Sequence, residues 1–315
     1  MGKIKNFLNK DIYGVKVYWL LLTALIGLVG IIVGSIYDLK LSSSLYDKNN
    51  AFSNFVETFG EGIGYLSGCI GGTLLFLGLY KNNKLIFRIL GYFLLVFPVV
   101  LSTILYGKAI GPNEYGITIS KPYNYVFAVT ISIIVCLITY FIVNKKDYRS
   151  LIISGSVIAI SIILTVTIVN GGLKFIGGRP RYRYLIGDAI SKDGLNESYK
   201  NWWQFQPFKY LSGDYHKSWP SGHVGITTCL LSISFITPVL NKSNKWSCLI
   251  IFSIMSIITL VICICRIIAG AHFLSDVSTS IFLVSLVILL SSYIVELFDN
   301  KFSKSKLENI ENSNN

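Results

Sequence analysis

The sequence predicts an all-α fold, a polytopic transmembrane helical bundle of about eight spans. Hydrophobic residues make up 52% of the 315 and charged residues only 14%, a balance suited to lipid rather than water. Mean hydropathy, at +0.59, agrees. Eight apolar runs also approach the length of about 20 residues that crosses the hydrocarbon of a bilayer. Finally, the basic residues sit mainly in short segments between those runs, which is how a membrane protein fixes its orientation. The formal charge of +12 therefore does not point to nucleic acid, which would need a basic face or a binding motif.

The runs are 15–37, 60–80, 87–107, 123–143, 150–171, 221–240, 247–266 and 272–295. No small-residue cleavage site follows the first, so it reads as a retained span and not a signal peptide. The second carries Gly60, Gly64, Gly68 and Gly72, a smooth strip that lets another helix approach closely. Glu57 and Glu61 stand at its outer mouth, where they either touch substrate or face water. All six cysteines fall inside apolar segments without metal-ligand spacing and read as small buried hydrophobes.

Placing the N-terminus inside puts Lys3, Lys5, Lys10, Lys16, Lys81, Lys84, Arg88, Lys145, Lys146, Arg149, Lys242, Lys245, Lys301, Lys304 and Lys306 on the inner side. Both termini are then cytoplasmic. The predicted organisation is four N-terminal spans in 1–149, four more with a long outer loop (172–220) in 150–295, and a cytoplasmic tail in 296–315. The loop's Tyr199, Trp202, Trp203, Phe205 and Phe208 suit a segment lying among lipid headgroups.

The first two outer loops hold only Lys40, Lys48, Lys108 and Lys121, and nine further basic residues escape the orientation rule. Lys174, Arg179, Arg181, Arg183, Lys192, Lys200, Lys209 and Lys217 crowd the outer loop and its start, and Arg266 ends the seventh run. Three short segments thereby meet at one membrane face. One runs from Lys174 to Arg183. Another is Trp219-Pro220-Ser221-Gly222-His223, and the last spans Arg266 to Asp276.

Each segment offers phosphoryl chemistry. His272 and Asp276, four apart at a helix start, would share a face, letting the carboxylate accept a proton from one ring nitrogen and leave the other bare. Arg266 brings a planar fork suited to phosphoryl oxygens. The free N–H groups of Ser221, Gly222 and His223 open a helix, where an anion is welcome. Lys174, Arg179, Arg181 and Arg183 complete a cationic clamp. Histidine His216 reads as solvent-exposed. So many positive charges would repel a metal cation, so metal-free chemistry fits better, with no cofactor.

Together the segments resemble the type 2 phosphatidic acid phosphatase superfamily, membrane lipid phosphatases that share their site with vanadium haloperoxidases. Lys174 and Arg181 match its first motif in spacing, Pro220-Ser221-Gly222-His223 its second, and Arg266, His272 and Asp276 its third. One departure stands out: Tyr182 replaces the proline expected after Arg181, while Arg179-Pro180 lies two residues earlier. Arg181 keeps the lysine-to-arginine spacing, and Arg179 is held as an auxiliary. The resemblance covers roughly 150–295 and implies a haloperoxidase-like catalytic core, usually of six spans, which makes the two spans between 87 and 143 look additional.

The resemblance also implies roles. His272 attacks phosphorus, Asp276 supports it, and His223 protonates the leaving oxygen. Lys174, Arg181 and Arg266, with Ser221 and the Gly222 amide, bind phosphoryl oxygens. The implied reaction is hydrolysis of a lipid phosphate or diphosphate within the bilayer. Undecaprenyl diphosphate is favoured by the bacterial look of the lysine-, asparagine- and isoleucine-rich composition. The alternatives are a lipid phosphotransferase using the same phosphohistidine and a non-catalytic anion-binding membrane protein or transporter. Oligomeric state is not legible.

Overall fold

The computed structural model of the chain describes residues 2–81, 84–110, 119–187, 198–209, 215–240 and 245–314. Lys192 and Lys242, placed by charge above, lie outside the described residues. So do parts of the long outer loop.

A short helix α1 (Gly2–Leu8) and a two-residue hairpin of β1 (Asp11–Ile12) and β2 (Val15–Lys16) lead into the bundle. Its long helices are α2 (Val17–Leu45), α3 (Ala51–Tyr80), α4 (Leu85–Ala109), α5 (Tyr123–Val143) and α6 (Tyr148–Thr165). From α6 the chain runs through a widened π-helical stretch, Val166–Leu173, into the single turn α7 (Lys174–Gly177), and α8 (Tyr182–Leu185) follows. The next span joins α9 (Gly222–Thr228), a tighter stretch at Cys229–Ile236 and α10 (Thr237–Leu240). Finally come α11 (Lys245–Ile268) and α12 (Leu274–Asn314). Eight helical stretches are long and apolar enough to cross a membrane, and their order matches the eight apolar runs.

Several boundaries differ from those read in the sequence, those of the second and last spans among them. The second span starts at Ala51, about nine residues before the expected 60, because the Asn50 side chain accepts the Ser53 N–H and caps the helix there. Glu57 and Glu61 are therefore helical residues in the first three turns of α3. The last span runs on as helix through the expected tail to Asn314.

Burial sorts the spans. Helix α3 and the span that begins with α9 are mostly enclosed, while α4 and α5 turn most of their surface outward. A single close approach matters for the site. A Cβ on Gly64 would lie 2.6 Å from the Ile226 carbonyl oxygen, so the absence of a side chain there lets α3 and α9 touch backbone to backbone. Leu74, Leu77, Leu151 and Ile158 pack α3 against α6.

The inward-assigned segments gather at one end of the bundle. Lys10 Nζ pairs with Glu296 at 2.5 Å, Arg149 Nε with Asp299 at 2.8 Å, and Lys146 Nζ donates to the Leu240 carbonyl at 3.1 Å. Five cysteines are buried and Cys136 is half-buried, all with free thiols.

Candidate active site

The three polar segments do meet, and main-chain hydrogen bonds stitch them. Arg181 N–H donates to the Tyr215 carbonyl at 3.1 Å, Ser218 N–H to Arg179 at 3.0 Å, Arg183 N–H to Gly270 at 3.0 Å, and Ser221 N–H to Asp276 at 3.3 Å. The turn between α11 and α12 depends on Gly270, whose φ of +63° is left-handed and closes the helix end in the usual glycine fashion. There the N–H groups of Ala271 and His272 both reach back to the Arg266 carbonyl, at 3.2 and 3.3 Å. That turn sets His272 beside the end of the helix bearing Arg266.

His272 is fully buried. Its Nδ1 lies 2.6 Å from the Ser218 carbonyl oxygen. A carbonyl can only accept, so Nδ1 carries the proton and Nε2 is left with its lone pair. No hydrogen-bond partner for Nε2 occurs among the described residues. Burial, then the charges of Arg266, Arg181 and Lys174, push the His272 pKa well below its ordinary value, which keeps the ring neutral.

The expected contact between Asp276 and His272 is not made. Helix α12 begins at Leu274, so His272 precedes it and the two residues do not share a helical face. Asp276 sits in the third helical position and reaches back to the Phe273 N–H at 2.8 Å, the acidic half of a capping box. The same oxygen accepts the Ser218 hydroxyl at 2.5 Å. Its other oxygen meets Arg179 Nη1 at 2.5 Å. Asp276 thus reaches the ring only through Ser218, a residue the motif reading missed and for which spacing gave no signal.

Arg179 belongs to this supporting layer. Its Nη2 donates to Asp38 at 2.9 Å and to the Tyr199 hydroxyl at 3.1 Å, its Nη1 also to Ser275 Oγ at 2.9 Å, and its Nε to the Lys200 carbonyl at 2.8 Å. The guanidinium lies 4.1 Å from the centre of the Phe273 ring. Every nitrogen is engaged by the protein, so the auxiliary place given to Arg179 in the clamp does not match its geometry. Asp38, from α2, also takes the Ser275 hydroxyl and, at 3.0 Å, its N–H. A carboxylate ending an apolar run was the sequence signal for it.

Arg183 is also held by a carboxylate. Its Nη1 grips both Glu57 oxygens, at 2.9 and 3.2 Å, and the same carboxylate lies 3.5 Å from Arg266 Nη1. Arg266 is 1% exposed, yet its Nε and Nη1 find no hydrogen-bond acceptor among the described residues. A buried guanidinium with donors to spare is a place for an anion.

Ser221 caps α9, its Oγ accepting the Val224 N–H at 3.4 Å. Its own N–H is held by Asp276, so of the three amides expected to face an anion, this one is committed elsewhere. A Cβ on Gly222 would lie 2.7 Å from Lys174 Nζ and 2.6 Å from Asn170 Oδ1. Glycine therefore lets the lysine and the helix start adjoin. Asn170 is another residue not singled out from the sequence.

His223 Nδ1 lies 3.0 Å from Glu61 Oε2, and its Nε2 lies 3.2 Å from the Glu57 carbonyl oxygen. His216 is 6% exposed and stacks edge-on with Tyr215. The expectation of a solvent-exposed side chain fails because the 215–218 segment is folded under the clamp. Of the loop aromatics, Tyr199 and Trp202 turn inward, Trp202 Nε1 donating to Ser35 Oγ at 2.9 Å, while Trp203, Phe205 and Phe208 stay exposed.

The family model of the PAP2 superfamily matches residues 155–299. That segment is a PAP2 domain, consistent with a member of the PAP2 superfamily. The matched segment holds Lys174, Arg181, His223, Arg266, His272 and Asp276, and it leaves α2 to α5 outside. The PAP2 domain points to a phosphatase acting on phosphate esters, and the eight apolar helices fit a multi-pass membrane protein. No curated protein and no solved structure matches the chain.

Proposed function

We propose that this PAP2 protein is a metal-independent phosphatase of membrane lipid phosphates or diphosphates, working through a phosphohistidine on His272. One observation carries the reading. The bare Nε2 of His272 is buried beside the unfilled donors of Arg266, with the Ser218 carbonyl fixing its tautomer.

In this mechanism Nε2 attacks phosphorus, and the bond from phosphorus to the leaving oxygen breaks. His223 gives that oxygen a proton. Lys174, Arg181 and Arg266 stabilise the charge on the equatorial oxygens, helped by Ser221 Oγ and the Gly222 amide. Water then loses a proton to His223 and displaces His272 from phosphorus, releasing phosphate. Asp276 steadies the developing imidazolium from behind Ser218. The clamp supplies in fixed side-chain charge what a metal would otherwise provide.

The site lies at the end of apolar helices, where acyl chains can remain in hydrocarbon while the headgroup meets the charges. The charge bias supports an outer-face site with both termini in the cytoplasm. Undecaprenyl diphosphate is the favoured member of the substrate class.

The test is phosphate release by purified protein across a panel of lipid mono- and diphosphates, with a chelator and with an alcohol acceptor in separate arms. Release should survive the chelator, and His272→Ala should abolish both release and an acid-labile phosphoenzyme. A variant that keeps either one removes the proposed nucleophile. Dominant transfer to the acceptor makes the protein a phosphotransferase instead.

A further inference from the structure

We infer that Glu61, on α3 and outside the segment that matches the family, is a positioning residue that holds His223 as the imidazolium from which the leaving oxygen takes its proton. The inference rests on the phosphohistidine reading above and assigns a further part of the same site.

The geometry carries it. Both ring nitrogens of His223 face groups that can only accept: the Glu61 carboxylate at 3.0 Å from Nδ1 and the Glu57 main-chain carbonyl at 3.2 Å from Nε2. A neutral imidazole has a single N–H and would leave one contact without a proton. The doubly protonated ring satisfies both. That is the form a general acid needs when substrate arrives.

Glu61 is itself held. The Tyr65 hydroxyl, one helical turn along, donates to its Oε1 at 2.9 Å, and Asn170 Nδ2 donates to that hydroxyl at 3.5 Å. The pair keeps 16% exposure on each side chain, so it borders the opening instead of being sealed behind it. The Gly64 contact brings α3 near enough for this reach.

The roles of the nitrogens follow. Nδ1 stays with Glu61 throughout. Nε2 exchanges the Glu57 carbonyl for the leaving oxygen, transfers its proton as the phosphorus–oxygen bond breaks, and becomes neutral. It regains a proton from the water that cleaves the phosphohistidine. Glu57 and Glu61 from α3 face His223 on one side. Lys174, Arg181 and Arg266, with the neutral His272, face it on the other; burial and those three cations oppose its charge, which is why a carboxylate is needed there.

The experiment compares wild type, Glu61→Gln and Tyr65→Phe on two monoesters, dioctanoyl phosphatidate and p-nitrophenyl phosphate. An alkoxide must be protonated as it leaves, whereas nitrophenolate need not be. Because kcat/KM covers steps only through phosphoenzyme formation, it isolates the acid. Glu61→Gln should lose roughly 100-fold on the phosphatidate and less than about threefold on the aryl ester. Its alkaline limb should move to lower pH, since the imidazolium loses its counter-charge. Tyr65→Phe removes a donor from Glu61, strengthens it as an acceptor, and should move the limb to higher pH.

Equal losses on both esters, or an unmoved limb in both variants, overturn the inference. So does an Tyr65→Phe shift in the same direction as Glu61→Gln. If Glu61→Gln fails to fold, the Tyr65→Phe limb decides alone. A wild-type enzyme with no His272-dependent phosphoenzyme overturns the underlying reading and this one with it; a normal phosphoenzyme beside ester-independent losses overturns this one only.

Discussion

The Ser218 carbonyl oxygen receives the Nδ1 proton of His272 at 2.6 Å, and the Ser218 hydroxyl is donated to Asp276 at 2.5 Å. A single serine therefore connects the proposed nucleophile to the carboxylate. Its main chain sets the tautomer, and its side chain carries the electrostatic link.

Ser218→Ala should separate those two functions. The carbonyl survives, so Nε2 keeps its lone pair and the phosphoenzyme still forms. Its rate of formation should fall about tenfold, equivalent to roughly 1.4 kcal/mol, as Asp276 loses its connection to the ring. Single-turnover quench measurements check this. A rate as low as that of His272→Ala would mean that the hydroxyl, not the carbonyl, holds the ring.

Arg179 and Arg181 should fail differently. Arg179→Gln leaves Asp38 and Asp276 buried without their shared cation, a change of the kind that costs about 3–5 kcal/mol. Thermal unfolding in detergent should reveal a large loss. Arg181→Gln should leave unfolding much closer to wild type while raising KM and lowering kcat/KM about 100-fold or more. Comparable unfolding losses would show that both arginines act through the fold.

The pH profile should report the depressed pKa of His272. Burial and the neighbouring cations favour the neutral ring, so the nucleophile stays competent below the ordinary histidine value of about 6.5. The acid limb of kcat/KM assigned to it should lie below that pH. Arg266→Gln should raise the limb towards it, compared on one substrate so that the substrate's own titration cancels. Stability carries the same sign. Between the folded value and about 6.5 the unfolded chain binds the extra proton, so this contribution grows as pH rises and is complete above that range. A limb that stays put in Arg266→Gln would exclude the arginine as a cause.

Legibility followed the range of the interaction. Apolar run length sufficed for the eight spans, because each crossing is a local property of some twenty residues. Motif spacing brought Lys174, His223, Arg266 and His272 to one place. It could not say that Arg179 would face Asp38, because that pair joins residues 141 apart through the packing of α2. Nor could it locate the hydrogen bond from His272, which depended on whether α12 starts before or after that residue. A shift of two residues exchanged a direct carboxylate for a serine carbonyl. Glu57 and Glu61 are visible as charges in the sequence, but their partners Arg183 and His223 lie 126 and 162 residues away and depend on the packing of α3.

The supporting acids have a practical corollary. Asp38, Glu57 and Glu61 all come from the first two spans, whereas the arginines and histidines they neutralise or orient come from the last four. A fragment trimmed to 155–299 would keep every motif residue yet strand Arg179, Arg183 and Arg266 in a greasy interior with much of their negative charge removed. The smallest piece able to stand alone must therefore begin well upstream of the recognisable motifs.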